Sequence, residues 1–210
     1  MWELPVRITH WTIFFCVIVL SITGFYIGNP FIITGSDPRF MMGAVRSIHS
    51  VTAWIMIAAV LARIMWAFLG NRWSHWDQFI PLSGDRRVTG RQMLRYYLFM
   101  RREPPSEVGH NPLAGLTYTV LYLMFLGQIV TGLALKGLDN PGGLISNLTN
   151  WIFSIGSIPA VRLTHHLVMW LTWGFVIHHV YSALLVDTEE KNGLISSIFT
   201  GRKSVDREIL

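Results

Sequence analysis

Four long stretches of this chain contain no charged side chains, and they limit the folds that it can adopt. Asp, Glu, Lys and Arg are absent from residues 8–36, 47–62, 111–135 and 163–186. A helix needs roughly 20 mostly apolar residues to cross a bilayer. Three of the stretches are long enough to span by themselves. The second is long enough if the helix continues past Arg63, whose side chain would snorkel toward an interface. We therefore predict an all-α membrane protein, a four-transmembrane-helix bundle in one domain, 1–210. The predicted spans are about 9–30, 47–69, 112–136 and 160–186.

The composition agrees with a membrane protein. Hydrophobic residues make up 51% of the chain and charged residues 14%, which is too apolar for an ordinary soluble surface. The first stretch begins close to Met1 without a small-residue cleavage site, so we expect it to remain as a span rather than act as a removable signal peptide. The single cysteine, Cys16, excludes a CxxCH haem attachment and a cluster held by several thiolates of this chain. We expect it to be a small packing residue.

Basic residues are distributed unevenly between the two sides that four spans define. The side with both termini and the 70–111 loop carries twelve Lys and Arg, and the opposite side carries four. The positive-inside rule therefore predicts cytoplasmic termini. Within that loop, basic and apolar residues alternate over 91–102, which predicts an interfacial helix within about 86–105 that Glu103-Pro104-Pro105 would end. The outer loop, 137–160, carries several large apolar residues and could either dock a partner or lie against the bilayer.

Histidines are the residues most suited to chemistry in the predicted spans, where ionisable side chains are costly and usually functional. Six of the eight lie in or at spans: His10, His49, His165, His166, His178 and His179. By depth, His10 and His179 fall near the inner face and His49 and His165 near the outer face. Fourteen residues separate His165 from His179, which is ~21 Å along a helix and leaves them within about 40° of each other. His165 and His179 can therefore both face the interior of one bundle, which pairs that include His166 or His178 do less well.

Two histidines on different helices at one level suit an iron porphyrin with two axial imidazoles. They are too few for a bare zinc ion, which takes about four ligands. We predict two such sites, His49 with His165 near the outer face and His10 with His179 near the inner face. A histidine that only makes a packing hydrogen bond is the competing interpretation for each position. A small transporter that moves metal or protons through its histidines is a further alternative.

The pattern Val-Arg-x-x-His occurs three times and places Arg7, Arg46 and Arg162 three residues before a histidine. Each arginine would lie about one turn nearer water, where a porphyrin propionate could accept a bidentate pair. Interfacial snorkelling that recurs by coincidence is the alternative. The second ring nitrogen of each histidine could donate to a main-chain carbonyl one turn back.

Small residues also occur at the predicted outer level, as Thr23-Gly24 in the first span and Thr131-Gly132 in the third. Gly24 and Gly132 would let a flat macrocycle approach two helices that donate no ligand to it. Ordinary close packing of membrane helices is the alternative. Arg63 lies fourteen residues after His49, near the inner level, where it could meet a propionate or a quinone, or simply snorkel.

Taken together, these residues resemble the b-type cytochrome subunit of membrane-bound nickel–iron hydrogenases over nearly the whole chain. Gly70-Asn71-Arg72 after the second span and His110-Asn111-Pro112 before the third are typical of that subunit. The cytochromes of formate dehydrogenase and thiosulfate reductase share a looser histidine pattern and remain the alternative. Further matching segments are Pro5–Trp11, Thr23–Pro30, Arg46–His49, Arg63, Trp66–Gly70 and Val176–Tyr181.

The resemblance implies two b-type haems bound by His10, His49, His165 and His179, in a bacterial inner membrane protein that is not an enzyme on its own. It further implies that the outer haem takes electrons from the iron–sulfur small subunit of a hydrogenase whose large subunit holds nickel and iron. The inner haem would pass them to quinone. Ligation through His166 or His178 stays open, as does a haem-free anchor. The candidate neighbours of the quinone are Asn111, His110, Arg63 and His178.

Overall fold

The computed structural model describes residues 2–30, 38–80, 83–102, 112–190 and 193–202. Two of the candidate quinone neighbours, His110 and Asn111, lie outside these residues. Within them all the regular structure is helical. The helices are α1 Leu4–Gly28, α2 Pro38–Leu69, α3 Gly84–Tyr97, α4 Pro112–Gly137, α5 Leu144–Thr149, α6 Ile152–Ile155, α7 Ile158–Glu190 and α8 Leu194–Thr200.

Four of these helices, α1, α2, α4 and α7, are long and apolar enough to cross a membrane, so the predicted four-span, all-α class is confirmed. The helices do not stop where the apolar stretches stop. α1 ends at Gly28, before the predicted residue 30, because Pro30 disfavours the helical conformation of the residue before it.

The start of α2 differs most from the sequence expectation. This helix includes residues from Pro38 onward, whereas the predicted span starts at residue 47. A charged side chain such as Arg46 ends an apolar stretch without ending a helix, since arginine is a good helix former. His49 was expected to open the second helix, and that expectation is wrong: it lies three turns inside α2.

The chain forms two compact units. One unit is Leu4–Trp66, which holds α1 and most of α2, and the other is Met1–Glu3 with Ala67–Leu210. In the second unit α7 and α5 pack against α4. A small apolar core of Ala134, Ile152 and Val161 joins the end of α4 to α6 and the start of α7.

A polar turn after α2 explains the Gly70-Asn71-Arg72 motif. The side-chain oxygen of Asn71 accepts from the backbone N–H groups of Trp73 and Ser74, at 3.0 and 3.1 Å. Glu3 in turn accepts from the Asn71 backbone N–H at 2.9 Å. An Asn side chain that binds backbone N–H groups two or three residues on is a common way to form a turn. The motif therefore shapes the loop that follows α2 and ties the amino terminus to it.

That loop continues into a short 3₁₀ helix, Trp76–Gln78, that packs on the first turns of α4. The hydroxyl of Thr119 donates to the Phe79 carbonyl at 3.3 Å, and Arg86 of α3 donates to the Gln78 carbonyl at 3.0 Å. Gly115 is buried beneath this contact. A Cβ there would overlap the Gln78 carbonyl oxygen and lie 3.2 Å from the Phe79 backbone. The loop can therefore approach α4 closely only because residue 115 has no side chain.

α3 is the helix found within the segment predicted as interfacial, but it ends at Tyr97, earlier than expected. The backbone N–H of Met100 donates to Arg95 and that of Phe99 donates to Tyr96, which is the Schellman pattern of helix ends. Phe99 takes the left-handed position with φ of 58°, where glycine is usual. Glu103-Pro104-Pro105 lies outside the described residues, and the Schellman turn ends the helix before it is reached.

The segment after α4 carries an apolar ridge. Leu144, Leu148, Trp151 and Ile155 recur at helical spacing along α5 and α6, and their exposed fractions run from 56% to 79%. The opposite side of these helices is anchored, since Ser146, Thr149 and Ile152 are buried. We call these four side chains the outer ridge.

Gly115→Ala should lower the thermal stability of the purified protein in detergent. A Cβ would press on main-chain atoms that cannot rotate away, and overpacking of this kind costs about 1–3 kcal/mol. Gly127→Ala on the same helix is the control, because a Cβ there meets no described atom within 4 Å. Since alanine favours a helix over glycine, equal melting temperatures for the two variants would contradict the close contact.

Candidate functional site

His49 is held by α1 in the first unit. Its Nδ1 lies 2.8 Å from the hydroxyl oxygen of Thr23, and the ring's Cε1 lies 3.6 Å from where a Cβ on Gly24 would be. The same hydroxyl lies 2.7 Å from the Val19 carbonyl oxygen one turn back. Thr23-Gly24 lies fourteen residues after His10, so this contact places His49 toward the opposite end of α1 from His10.

His165 is held by α4 in the same way in the second unit. Its Nδ1 lies 2.8 Å from the hydroxyl oxygen of Thr131, which lies 2.7 Å from the Gly127 carbonyl oxygen. A Cβ on Gly132 would lie 3.1 Å from Cε1 of His165, which is tighter than ordinary van der Waals contact. Each unit thus repeats one arrangement, a Thr-Gly pair on one helix against a histidine on the next.

These contacts change two details of the sequence interpretation. Nδ1 of His49 and of His165 meets a threonine hydroxyl on the neighbouring helix, whereas we expected a main-chain carbonyl one turn back. Gly24 and Gly132 adjoin the imidazoles themselves, and their contact with a macrocycle stays a prediction.

His179 lies among aromatic rings at the other end of α7. The Phe175 ring stacks on it, with centroids 5.6 Å apart and planes 8° apart. The Tyr118 ring of α4 meets it edge-on at 5.7 Å. The Tyr118 hydroxyl lies 3.4 Å from Nδ1 of His179, which is longer than a usual hydrogen bond. The rings of Phe175 and Tyr118 therefore both contact His179.

Sequence reasoning missed Tyr118 and Phe175. Tyr118 could have been found, since it lies fourteen residues before Gly132, the spacing that joins His165 to His179. Phe175 lies one turn before His179 and had no distinguishing signal in an aromatic-rich span.

The two histidine doublets of α7 are divided between its faces. His165 and His179 both contact α4, through Thr131 and Tyr118. His178 is exposed, and its Nε2 lies 3.5 Å from the hydroxyl oxygen of Ser182 on the same helix. His166 is half-buried. The packing against α4 therefore favours His165 and His179, rather than His166 and His178, as the candidate ligands of α7.

His10, Arg7 and Arg162 lie within the first two turns of their helices, whereas Arg46 lies more than two turns inside α2. His10 is half-buried, with the Trp11 ring edge-on at 5.3 Å. Arg7 is half-buried, whereas Arg46 and Arg162 are exposed. Exposed guanidinium groups one turn from a histidine can reach an anionic group at the rim, although interfacial snorkelling would give the same exposure.

Arg63 behaves differently from the other arginines. Its side chain is only 7% exposed and lies on the face of α2 that also buries Met56 and Val60. That face is the one that carries His49, at positions four turns apart. A snorkelling arginine keeps its charged group in water, so burial favours an interior role over snorkelling.

The donor set fits haem better than a bare metal ion. Among the described residues, no group of three or more His, Cys, Asp or Glu side chains comes together as a metal site. Single imidazoles with Nδ1 held by a neutral hydroxyl are what axial haem ligands need, because Nε2 is then the nitrogen that binds iron.

The fold and these imidazole sites together define a class, the multi-pass membrane haem proteins. The comparisons with known proteins identify the family within it. Residues 1–201 match the family model described as prokaryotic cytochrome b561, and the chain belongs to that family. It is therefore a b-type cytochrome, an electron carrier rather than a catalytic subunit.

Individual relatives extend over nearly the whole chain. A Bradyrhizobium diazoefficiens protein named probable Ni/Fe-hydrogenase B-type cytochrome subunit is 36% identical, covering 97% of this chain and 85% of the relative. An Escherichia coli protein named probable Ni/Fe-hydrogenase 1 B-type cytochrome subunit is 32% identical over 97% and 90%. The Cupriavidus necator counterpart is 33% identical over 97% and 86%. The resemblance inferred from the sequence is confirmed.

Gly132→Ala should disturb haem binding more than Gly24→Ala. The added methyl group would displace His165, at 3.1 Å, whereas His49, at 3.6 Å, is at ordinary contact distance. The expected result is a changed low-spin haem spectrum, or partial loss of one haem, in Gly132→Ala alone. Equal disturbance in both variants would indicate instead that both glycines touch the porphyrin.

Proposed function

We propose that this chain is the dihaem cytochrome b subunit that carries electrons from a nickel–iron hydrogenase facing the periplasm, across the inner membrane, to quinone. The observation that carries the proposal is on α7, where His165 and His179 both turn toward α4 four turns apart. That spacing, ~21 Å along the helix, supports one haem near each face. The names of the relatives support a hydrogenase as the partner.

The side chains of this protein would hold and insulate the two haems. The outer iron would be bound by His49 and His165, and the inner iron by His10 and His179. Exposed Arg46 and Arg162 suit the outer propionates, and half-buried Arg7 suits the inner ones. Arg63, buried on the face of α2 four turns from His49, suits an inner propionate or the quinone. When bound, the haems would supply reversible one-electron transfer without an open coordination position.

The orientation follows from the basic residues. Cytoplasmic termini place α3 at the anionic inner leaflet, where exposed Arg87, Arg91 and Arg95 suit phospholipid headgroups. Phe99 is 96% exposed at the turn after this helix, as a side chain inserted at a membrane interface would be. His110, Asn111 and His178 stay candidate neighbours of the quinone at this side.

The relatives favour a hydrogenase over the alternative donors, formate dehydrogenase and thiosulfate reductase. All three assignments share the same haem sites and differ in the soluble partner. Co-purification of a nickel-containing subunit supports the proposal, and co-purification of a molybdenum subunit contradicts it.

Haem quantification on paired histidine variants tests the sites and their pairing. Each single His→Ala change at 10, 49, 165 or 179 should remove one of two haems from the reduced-minus-oxidised spectrum. His49→Ala with His165→Ala should still leave one haem, because both ligands serve the same iron. His49→Ala with His10→Ala should leave none.

His178→Ala is the matched control for these variants, since this histidine neighbours His179 but is exposed. It should keep both haems. Two retained haems in all four single variants would contradict the proposed ligands. A wild-type protein that purifies without haem would favour a haem-free anchor or a transporter.

The outer ridge is the surface we propose for the electron donor. Ile152 anchors the ridge to Ala134 at the end of α4 and to Val161 at the start of α7. Val161 lies one turn before His165. The charged residues of the preceding turn, Lys136 and Asp139, pair with each other at 2.9 Å. An apolar surface with an aromatic residue and little net charge resembles the core of a subunit interface.

A glutamate on the ridge should weaken the complex. Leu148→Glu or Trp151→Glu should lower co-purification of the hydrogenase small subunit by tenfold or more, since a buried unpaired charge costs several kcal/mol. Reduction of the haems by hydrogen should fall in parallel, while reduction by dithionite stays normal. Asn147→Glu adds the same charge at an exposed polar position beside the ridge and should have a much smaller effect. Unchanged co-purification in both ridge variants would indicate that the ridge faces lipid.

A further inference from the structure

The hydrogen bond between Thr23 and His49 has a defined direction. A threonine hydroxyl has one proton. Its oxygen lies 2.7 Å from the Val19 carbonyl and 3.2 Å from the Leu20 carbonyl, and a carbonyl can only accept. The proton of Thr23 is therefore directed to its own helix. The contact with His49 must then be donated by the imidazole, from Nδ1–H to the threonine oxygen.

The same reasoning applies to Thr131 and His165 in the other unit. The Thr131 oxygen lies 2.7 Å from the Gly127 carbonyl and 3.3 Å from the Gln128 carbonyl. Its proton is used there, so Nδ1–H of His165 donates across the 2.8 Å contact. Two histidines in separate units are thus held in one tautomer, protonated at Nδ1, by one arrangement.

The contact of His179 with Tyr118 has no such defined direction. The Tyr118 hydroxyl is 3.4 Å from Nδ1 of His179 and can either donate or accept. Stacking with Phe175 orients the ring without setting the position of its proton. The threonine contact therefore defines the proton position of His165, whereas the Tyr118 contact does not define that of His179.

We propose that Thr23 and Thr131 are positioning residues that lower the reduction potential of the outer haem. The inference rests on the proposed function, in which His49 and His165 bind one iron through Nε2. An imidazole that donates from Nδ1 is a more basic ligand. A more basic ligand stabilises the ferric iron relative to the ferrous iron and lowers the potential. In that assignment Thr23 would act on one ligand of the outer iron and Thr131 on the other.

The test is a spectroelectrochemical titration of purified Thr23→Val and Thr131→Val proteins. Valine keeps the shape of threonine and removes the acceptor oxygen. Each variant should raise the potential of the outer haem, the double variant should raise it further, and the inner haem should keep its potential. The g values of the outer low-spin ferric haem should change in parallel. His49→Ala protein, which should keep only the inner haem, identifies which step belongs to the outer one.

Two further variants separate hydrogen bonding from structural damage. Thr23→Ser and Thr131→Ser keep the hydroxyl and should titrate close to wild type. Thr172→Val removes a buried hydroxyl of α7 that donates to the Val168 carbonyl of its own helix at 2.8 Å, and it should change neither potential. If one valine variant does not fold, the other tests the same interaction in the other unit.

The outcomes separate this inference from the proposed function. An unchanged outer potential in haem-loaded valine variants overturns the role of the threonines and leaves the two-haem assignment intact. A shift of the same size in the serine variants also overturns it, because the hydroxyl would then be irrelevant. Absence of haem from the purified wild-type protein would overturn the proposed function itself.

Discussion

An imidazole placed among apolar helices requires a partner for the nitrogen that does not bind iron, and the rest of the site depends on how that partner is supplied. Here the partner of His49 and of His165 is a threonine hydroxyl on the adjacent helix. The hydroxyl is itself satisfied by a carbonyl one turn back, so no polar group at the contact is left without a partner. The glycine after each threonine allows the helix to approach the ring.

A single spacing places these parts on all four long helices. Positions fourteen residues apart lie on one face of a helix, ~21 Å apart along its axis. On α1, α2 and α7 a proposed haem ligand stands at one level, and a second proposed ligand, a glycine or an arginine stands at the other. On α4, where no ligand is proposed, the pair is an aromatic residue with a glycine. The pairs are His10 with Gly24, His49 with Arg63, Tyr118 with Gly132, and His165 with His179.

The sequence was sufficient to predict the four spans and the face shared by His165 and His179, because both follow from the composition and period of single helices. It was not sufficient for features that depend on how neighbouring helices rotate. The Thr131–His165 hydrogen bond is one example, since Thr131-Gly132 alone is equally consistent with close packing. The long start of α2 is another, because hydropathy marks where a span meets water and contains no information on where a helix ends.

A neutral acceptor suits an electron carrier in a membrane better than a charged one. A carboxylate would raise the basicity of the imidazole more, but it would place a charge in the bilayer, which costs several kcal/mol. The four apolar stretches contain no Asp or Glu, so the hydroxyls of Thr23 and Thr131 are the acceptors used at His49 and His165. Iron changes its charge by one with each electron, and in a low-dielectric interior that change is poorly screened. The two threonine hydroxyls are small dipoles that are fixed by hydrogen bonds to backbone carbonyls. They can favour the ferric state without requiring a proton to move.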